Sequence, residues 1–397
     1  MICVKIAFIS TYPPQECGIA NFTRDLVKAV SDSNRDIEMF IFAPSDTYIE
    51  LDTEYNRAFL IHPGRESYIE IADTINSLGI DCVSLQHEYG LFSGKDGEDI
   101  IPMLERLKVP VITTLHTILT EPTERQKNIL QRIGDLSEYL VVMTPSGAKL
   151  LEDVYGIDKK KVRFIHHGVP NLLPTTSREE MRKMLEIPEG TFVLSTFGLL
   201  SEGKGIEYVL WALPKILKEF QIRYLVIGRT HPKIVKNEGE RYREKLLRIV
   251  AESGLERYVT FVNRYLSQEE IINYLEMTDI YITPYLNPQQ ITSGTLSYAI
   301  GLGKVVVSTP YIYARDMLSN GRGFLCNFKD PDSIAEIILH LLRNPDKLEK
   351  VKGNILGLKE EMSWNNVALK YIRLFQEVIN SEPYLYKRLP RIISYAS

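Results

Sequence analysis

The sequence predicts an α/β protein built from two doubly wound domains facing across a cleft. Three observations carry that expectation. Short apolar runs alternate with amphipathic segments along almost the whole chain of 397 residues. The runs are mostly β-branched and uncharged inside, as strands buried on both faces of a parallel sheet must be. The alternation occurs twice, as two βαβ series flanking a turn-rich stretch between Pro170 and Pro188.

The first series offers strands at VKIAFIS (4–10), IEMFIFA (37–43), FLIH (59–62), CVSLQ (82–86), PVITTLH (110–116), YLVVMT (139–144) and VRFIHH (162–167). Helical patterns such as FTRDLVKAVSD and YIEIADTINSLG lie between them, the second ending at Gly79, suited to the residue just past a helix end. Pro170, Pro174 and Pro188 mark a linker that holds a short helix. The second series follows with TFVLSTFG (191–198), YLVIG (224–228), VTFVN (259–263), IYITPY (280–285), KVVVST (304–309) and GFLCNF (323–328). GIEYVLWALPKILKEF and RYREKLLRIVAESG are helices of this half, and WNNVALKYIRLFQEVI is the last helix. The tail YLYKRLPRIISYAS is aromatic and basic. It reads as a segment packed on the body, or as a peripheral contact with an anionic membrane surface.

Composition excludes several classes. Hydrophobic residues make up 44% and charged residues 25%, an ordinary globular balance. The net charge of −4 supplies no global field for nucleic acid. Cys3, Cys17, Cys82 and Cys326 form no CxxC pair, which argues against a zinc site or disulfide framework. The chain enters a strand at once, with no signal-peptide pattern, and no apolar run approaches the ~20 residues of a membrane span. A cytoplasmic location is expected.

Chemistry-bearing residues gather where strands end. FGLLSEGKGIE (197–207) is a strand, a Gly-rich loop and a helix start, with Lys204 in the loop. Backbone N–H groups at a helix N-terminus beside a lysine form an anion site. The spacing Gly198-x4-Gly203-Lys204 matches a P-loop, but Gly205 stands where Mg²⁺ would need Ser or Thr, and Asp279 precedes its strand rather than ending it. That excludes an ordinary NTPase. Gly18, alone in TYPPQECGIANF, opens the first helix without a dinucleotide fingerprint. Gln86, His87, Glu88 and Tyr89 follow one buried run and His116 ends another, both places that face a ligand in this architecture. His87 and Glu88 offer acid–base groups. Arg229 in IGRTHP, and Asn263 and Arg264 in FVNRY, end strands of the second half, so several strand tips offer cations or N–H groups to a polyanion such as a diphosphate. Ser293, Gly294 and Thr295, at the start of a helix, add backbone N–H groups and hydroxyls. His87, His116, His166 and His167 have no compact ligand spacing, and no metal is expected.

On TYPPQECGIANF, QHEYGLF, TLHT, IHHGVP, FGLLSEGKG, IGRTHP, TDIYITPY and AIGLGKVVVSTPY the chain resembles the glycosyltransferases of the GT-B architecture, specifically family 4, over nearly its whole length. The resemblance implies two Rossmann-like domains: an N-terminal acceptor-binding domain over 1–170, a linker over 171–188, and a C-terminal nucleotide-sugar-binding domain over 189–363. The helix and tail at 364–397 cross back to the first domain. It implies that His116 is the active-site histidine near the donor sugar, that Lys204 lies on the donor diphosphate, and that Gly18 faces the diphosphate or acceptor. Gln86, His87, Glu88 and Tyr89 fall on the acceptor side. Two departures stand out. Leu199 occupies the family's arginine position, so Arg229 or Arg264 is expected to supply the charge. Gln289 and Ser297 stand where two glutamates normally hold sugar and ribose hydroxyls, and Gln290 adjoins the first. The glycine at 294 lets backbone approach phosphate closely.

The resemblance implies retaining, metal-independent transfer of a hexose from a nucleotide-diphospho-sugar to a carbohydrate or other hydroxyl acceptor. Mannose from GDP-mannose is the first expectation, then UDP-glucose or UDP-GlcNAc. The nucleotide-sugar is a co-substrate and no cofactor is expected. A sugar phosphorylase on the same fold, using inorganic phosphate, and a non-catalytic nucleotide-sugar-binding protein are the alternatives. Oligomeric state is open.

Overall fold

The computed structural model describes residues 4–52, 54 and 57–381. Cys3 and the basic tail lie outside the described residues. The chain forms two compact units: the segment up to Gly168 together with Trp364 onward, and Val169–Ser363.

The first unit runs β1 (Val4–Ile9), α1 (Gly18–Ser33), β2 (Ile37–Pro44), β3 (Arg57–Ile61), α2 (Arg65–Ser77), β4 (Cys82–His87), α3 (Ile100–Arg106), β5 (Val111–Leu115), α4 (Glu124–Leu136), β6 (Tyr139–Val142), α5 (Pro145–Asp153) and β7 (Val162–Phe164). Its seven strands form one sheet in the order β3-β2-β1-β4-β5-β6-β7, parallel throughout. Every residue of β4 and β5 is buried, which is why both read as runs without exposed polar alternation. Helix starts are fixed by local chemistry. Cys17 Sγ accepts the Ala20 N–H at the head of α1. Thr123 and Gln126 form a capping box for α4. Helix α2 stops where Gly79 adopts φ +70°, a left-handed turn that costs glycine little.

The second unit runs α6 (Arg178–Met184), β8 (Phe192–Phe197), α7 (Ile206–Ile216), β9 (Ile222–Ile227), α8 (Pro232–Glu238), α9 (Arg241–Glu252), β10 (Val259–Val262), α10 (Gln268–Glu276), β11 (Ile280–Thr283), α11 (Gly294–Gly301), β12 (Val305–Ser308), α12 (Ile312–Leu318), β13 (Phe324–Leu325), α13 (Pro331–Leu342) and α14 (Pro345–Glu361). Its sheet is parallel, in the order β10-β9-β8-β11-β12-β13. The carboxylate of Asp279, just ahead of β11, accepts from Val193 N–H at 2.8 Å and from Arg178 at 2.8 Å, a structural brace. The chain ends in α15 (Trp364–Ile379), which belongs to the first unit and packs along α1. Tyr371 of α15 bonds Thr114 of β5 at 2.9 Å, and Phe375 meets Phe8 edge to face at 6.2 Å.

The unit built on β8 is thus Rossmann-like, as is the one built on β1. In each, strand order reverses about one pair, β1/β4 and β8/β11. Loops leaving such a pair diverge to opposite sides of the sheet and leave room at the strand ends for a ligand. No helix among the described residues is long and apolar enough to cross a membrane.

Candidate active site

In the second unit, the loops that leave β8 and β11 meet. The chain turns out of β8 through Gly198 at φ +132°, makes a 3-10 turn over Glu202–Lys204, and enters α7 through Gly205 at φ +63°. A Cβ on Gly205 would stand 2.2 Å from the Pro284 carbonyl oxygen, so only glycine lets the two loops approach. Leu286 N–H donates to Gly203 O at 2.9 Å and fixes their register. Lys204 then extends over the Tyr285 ring, its ammonium 4.0 Å from the ring centroid.

Helix α11 begins beside this lysine. Ser293 caps it by accepting the Leu296 N–H at 3.3 Å, leaving the N–H groups of Gly294 and Thr295 in the acceptor-free first turn. Thr295 Oγ1 lies 2.6 Å from Tyr285 OH and 3.3 Å from Ser293 Oγ. A Cβ on Gly198 would meet Thr295 Cγ2 at 3.2 Å and come within 3.9 Å of Lys204 Nζ. Lys204, Ser293, Gly294 and Thr295, expected at one anion site, therefore converge. Gly203 stays open, and a Cβ added there would meet nothing within 4 Å.

The two arginines separate. Arg264 is exposed and its Nη1 sits 2.5 Å from Glu270 Oε1, so its charge is already paired. Arg229 is half-buried and its backbone runs against the Gly-rich loop, with Leu200 N–H donating to Arg229 O at 2.9 Å. Its guanidinium stands 5.9 Å from the Tyr265 ring centroid. Asn263 is exposed beyond β10. Gln289 and Gln290 are half-buried on the β11–α11 loop, and Gln290 Nε2 donates to Thr292 O at 2.9 Å. Ser297 requires a correction. Its hydroxyl is fully buried, donates to Ser293 O at 2.9 Å and pairs with Tyr313 OH at 2.5 Å. A hydroxyl so engaged packs α11 against α12 and is not offered to a ribose. The neighbouring half-buried Tyr298 instead takes a hydrogen bond from Gln268 Nε2 at 2.7 Å.

In the first unit, β4 and β5 bring Gln86 and His116 together, with His116 Nε2 2.9 Å from Gln86 Oε1. Gln86 Nε2 donates to Ser84 Oγ at 3.3 Å, which turns the amide oxygen toward the histidine. Nε2 of His116 accordingly carries the proton, and Nδ1 is left as an acceptor. Phe22 touches His116 edge to face at 5.0 Å, His167 at 5.1 Å and Trp364 at 5.2 Å. Burial, with His167 and His87 adding repulsion, pushes the His116 imidazole down to about 3. Burial alone takes His87 to about 4, and it takes His167 to about 4 against the opposing bond to the Gly168 carbonyl. All three rings are neutral near pH 7. His87 is wholly buried against Tyr89 and Phe92, with no hydrogen-bond partner on either ring nitrogen among the described residues. Glu88 accepts from the Thr117 hydroxyl, and Tyr89 OH donates to Gln126 O at 3.1 Å. Of the residues expected on the acceptor side, Gln86–Tyr89, Gln86 joins His116, while His87 is enclosed in the core. Gly18 is exposed at the first position of α1. Among the described residues, no three His, Cys, Asp or Glu side chains gather as a metal-holding group.

Tyr285, Phe22 and Trp364 join these clusters without any mark in the sequence. Nothing in their local patterns marks them, because their partners lie far away in the chain: Lys204 for Tyr285, His116 for Phe22, and Phe22 and His167 for Trp364. The one available signal was position: Tyr285 closes the run IYITPY at a strand tip.

The family described as Glycosyltransferase Family 4 matches residues 17–171, and the family described as Glycosyl transferases group 1 matches residues 177–355. The chain belongs to the group 1 glycosyltransferases. Among curated relatives, the D-inositol 3-phosphate glycosyltransferase of Streptosporangium roseum is 22% identical over 67% of the chain and 63% of its own length. The glycogen synthase of Aliivibrio fischeri is 28% identical over 46% of the chain and 36% of its own length. The chain thus spans about 63% of the length of the first of these relatives. Among solved structures, a glycosyltransferase from Rickettsia africae superposes with a TM-score of 0.77 at 17% identity, covering 96% of this chain and 100% of that one. HepE of Anabaena, in complex with UDP and glucose, superposes with a TM-score of 0.74 at 15% identity, covering 94% and 100%. The fold of the chain is therefore GT-B.

Proposed function

We propose that the protein transfers a hexose from a nucleoside-diphospho-sugar to a hydroxyl acceptor, with retention and without a metal ion. One observation carries the reading. At the switch point of the second sheet, Lys204 stands over Tyr285 beside the open first turn of α11, where Gly198 and Gly205 let backbone come close. A cation and helix N–H groups aimed at one point suit a diphosphate, both in the bound donor and as negative charge grows on the leaving group. Arg229 is assigned the charge that Leu199 does not provide, since Arg264 is held by Glu270.

The neutral His116 is assigned to a sugar hydroxyl. With Nε2 held by Gln86, Nδ1 accepts a hydrogen bond without adding a second positive charge. The acceptor hydroxyl attacks on the face from which the diphosphate leaves, so no carboxylate nucleophile is required. GDP-mannose is the first donor to test. UDP-glucose follows, because HepE has been seen with UDP-glucose bound.

Nucleoside diphosphate release, measured over a panel of GDP-, UDP- and ADP-hexoses with sugar acceptors, tests the reading. One donor should support release, and Lys204→Ala should lower kcat/KM by ~100-fold, about 2.7 kcal/mol of transition-state stabilisation. Tight donor binding with no release from any pair would make the protein a nucleotide-sugar-binding protein instead.

A further inference from the structure

We propose that Tyr285 is the positioning residue of the anion site, acting through Lys204 and Thr295. The assignment rests on the diphosphate reading above and goes beyond it, naming what holds the lysine in place. Among the described residues the Lys204 ammonium makes no ion pair and donates no hydrogen bond; the Tyr285 ring face, 4.0 Å from it, is its support. Three other cations of this unit are paired with carboxylates instead. Arg264 is paired with Glu270, Lys245 with Glu207 at 2.8 Å, and Arg243 with Glu240 at 3.1 Å. A carboxylate partner cancels a charge and occupies its donors. An aromatic face attracts the ammonium through its quadrupole and leaves the charge and all three N–H groups available.

The ring is itself fixed. Tyr285 is 1% exposed and stacks on Tyr311 with centroids 5.4 Å apart and planes 18° apart. Its carbonyl accepts from Thr309 Oγ1 at 2.6 Å. Its hydroxyl bonds Thr295 Oγ1 at 2.6 Å, and Thr295 is the second residue of α11. One side chain thereby sets the lysine on its face and the helix start on its edge. The two parts of the anion site reach from Lys204 to Thr295 across the sequence, and Tyr285 holds them in common register.

The test is calorimetric titration of the full-length chain with inorganic pyrophosphate, UDP and GDP. Tyr285→Leu should weaken the best of these ligands about tenfold, and Tyr285→Phe, which keeps the ring, less than about threefold. In a Lys204→Ala background Tyr285→Leu should add less than about threefold, because only the Thr295 bond then remains to be lost. A fold-neutral series replaces Tyr285 by phenylalanine and by its trifluorinated analogue. Fluorination drains the ring face without changing its shape, so affinity should fall from the first to the second. Equal affinity across that series, or an equal Tyr285→Leu loss with and without Lys204, would overturn the assignment. A wild-type chain that binds neither pyrophosphate nor any nucleoside diphosphate would overturn the diphosphate reading itself, and this assignment with it.

Discussion

At the residue scale, the two clusters differ in charge. Lys204 carries its ammonium over a ring face, with no carboxylate beside it among the described residues, whereas His116, His87 and His167 are held neutral by burial. A neutral buried histidine ties stability to pH. Above 6.5, the ordinary value, the ring is uncharged in both the folded and unfolded chain and costs nothing. As pH falls from 6.5 toward about 4, the unfolded chain takes up a proton that folded His87 refuses, and stability is lost across that window. The slope approaches ~1.4 kcal/mol per pH unit for one such group. His87 isolates the effect best, since burial is the sole cause of its shift. In denaturant titrations between pH 7 and pH 4, His87→Leu should flatten the fall of unfolding free energy by about 1 kcal/mol per unit, whatever its offset at pH 7. A variant whose stability runs parallel to wild type over that range would show that His87 is protonated in the folded chain.

At the scale of the element, the loops after β8, β9 and β11 are shaped by glycines whose roles differ. A Cβ on Gly228 would stand 2.2 Å from the Gly198 carbonyl oxygen, and the residue sits at φ +127°. Arg243 Nη2 also donates to the Gly228 carbonyl at 3.2 Å, so this turn cannot swing aside freely. Gly203 has open space and no such constraint. Gly228→Ala should therefore destabilise the protein by at least ~2 kcal/mol and disturb the neighbouring turn, while Gly203→Ala should change stability by less than ~0.5 kcal/mol. Thermal unfolding of both variants decides it, and equal midpoints would rule out the Gly198–Gly228 contact. Much of this layout was legible in the sequence. The runs at Cys82–His87 and Val111–Leu115 are buried on both faces, so their composition alone announced parallel strands. The helix over Trp364–Ile379 has a strong apolar stripe, and the linker helix has the Ser177–Glu180 box at its head. Ser297 was misread for a geometric reason. On a helix, each residue turns ~100° from the last, so neighbours face different surroundings. Only the cap at Ser293 and the contact with Tyr313 decide that Ser297 turns inward. Tyr285 was silent for another reason: its meaning comes from Lys204, and no period or spacing links the two.

At the scale of the whole molecule, the formal charge of −4 repels a diphosphate on balance, so recognition must be local. On the proposed reading, the second unit meets that need with Lys204 and the start of α11, both set at the reversal of strand order between β8 and β11. Binding energy delivered there stabilises the folded chain by mass action, by about 2.7 kcal/mol when ligand stands at 100 times its dissociation constant. Melting with GDP, UDP and ADP should therefore rank the bases, with one raising the midpoint clearly above the others. Hydrogen exchange in the presence of that nucleotide should slow most at the 198–205 and 284–296 loops, where Gly294 and Thr295 lack intrahelical acceptors. The same nucleotide should protect neither segment in Lys204→Ala at equal concentration. Slowed exchange centred on other strand ends, with these two loops unchanged, would place the nucleotide elsewhere and remove Lys204 from its diphosphate.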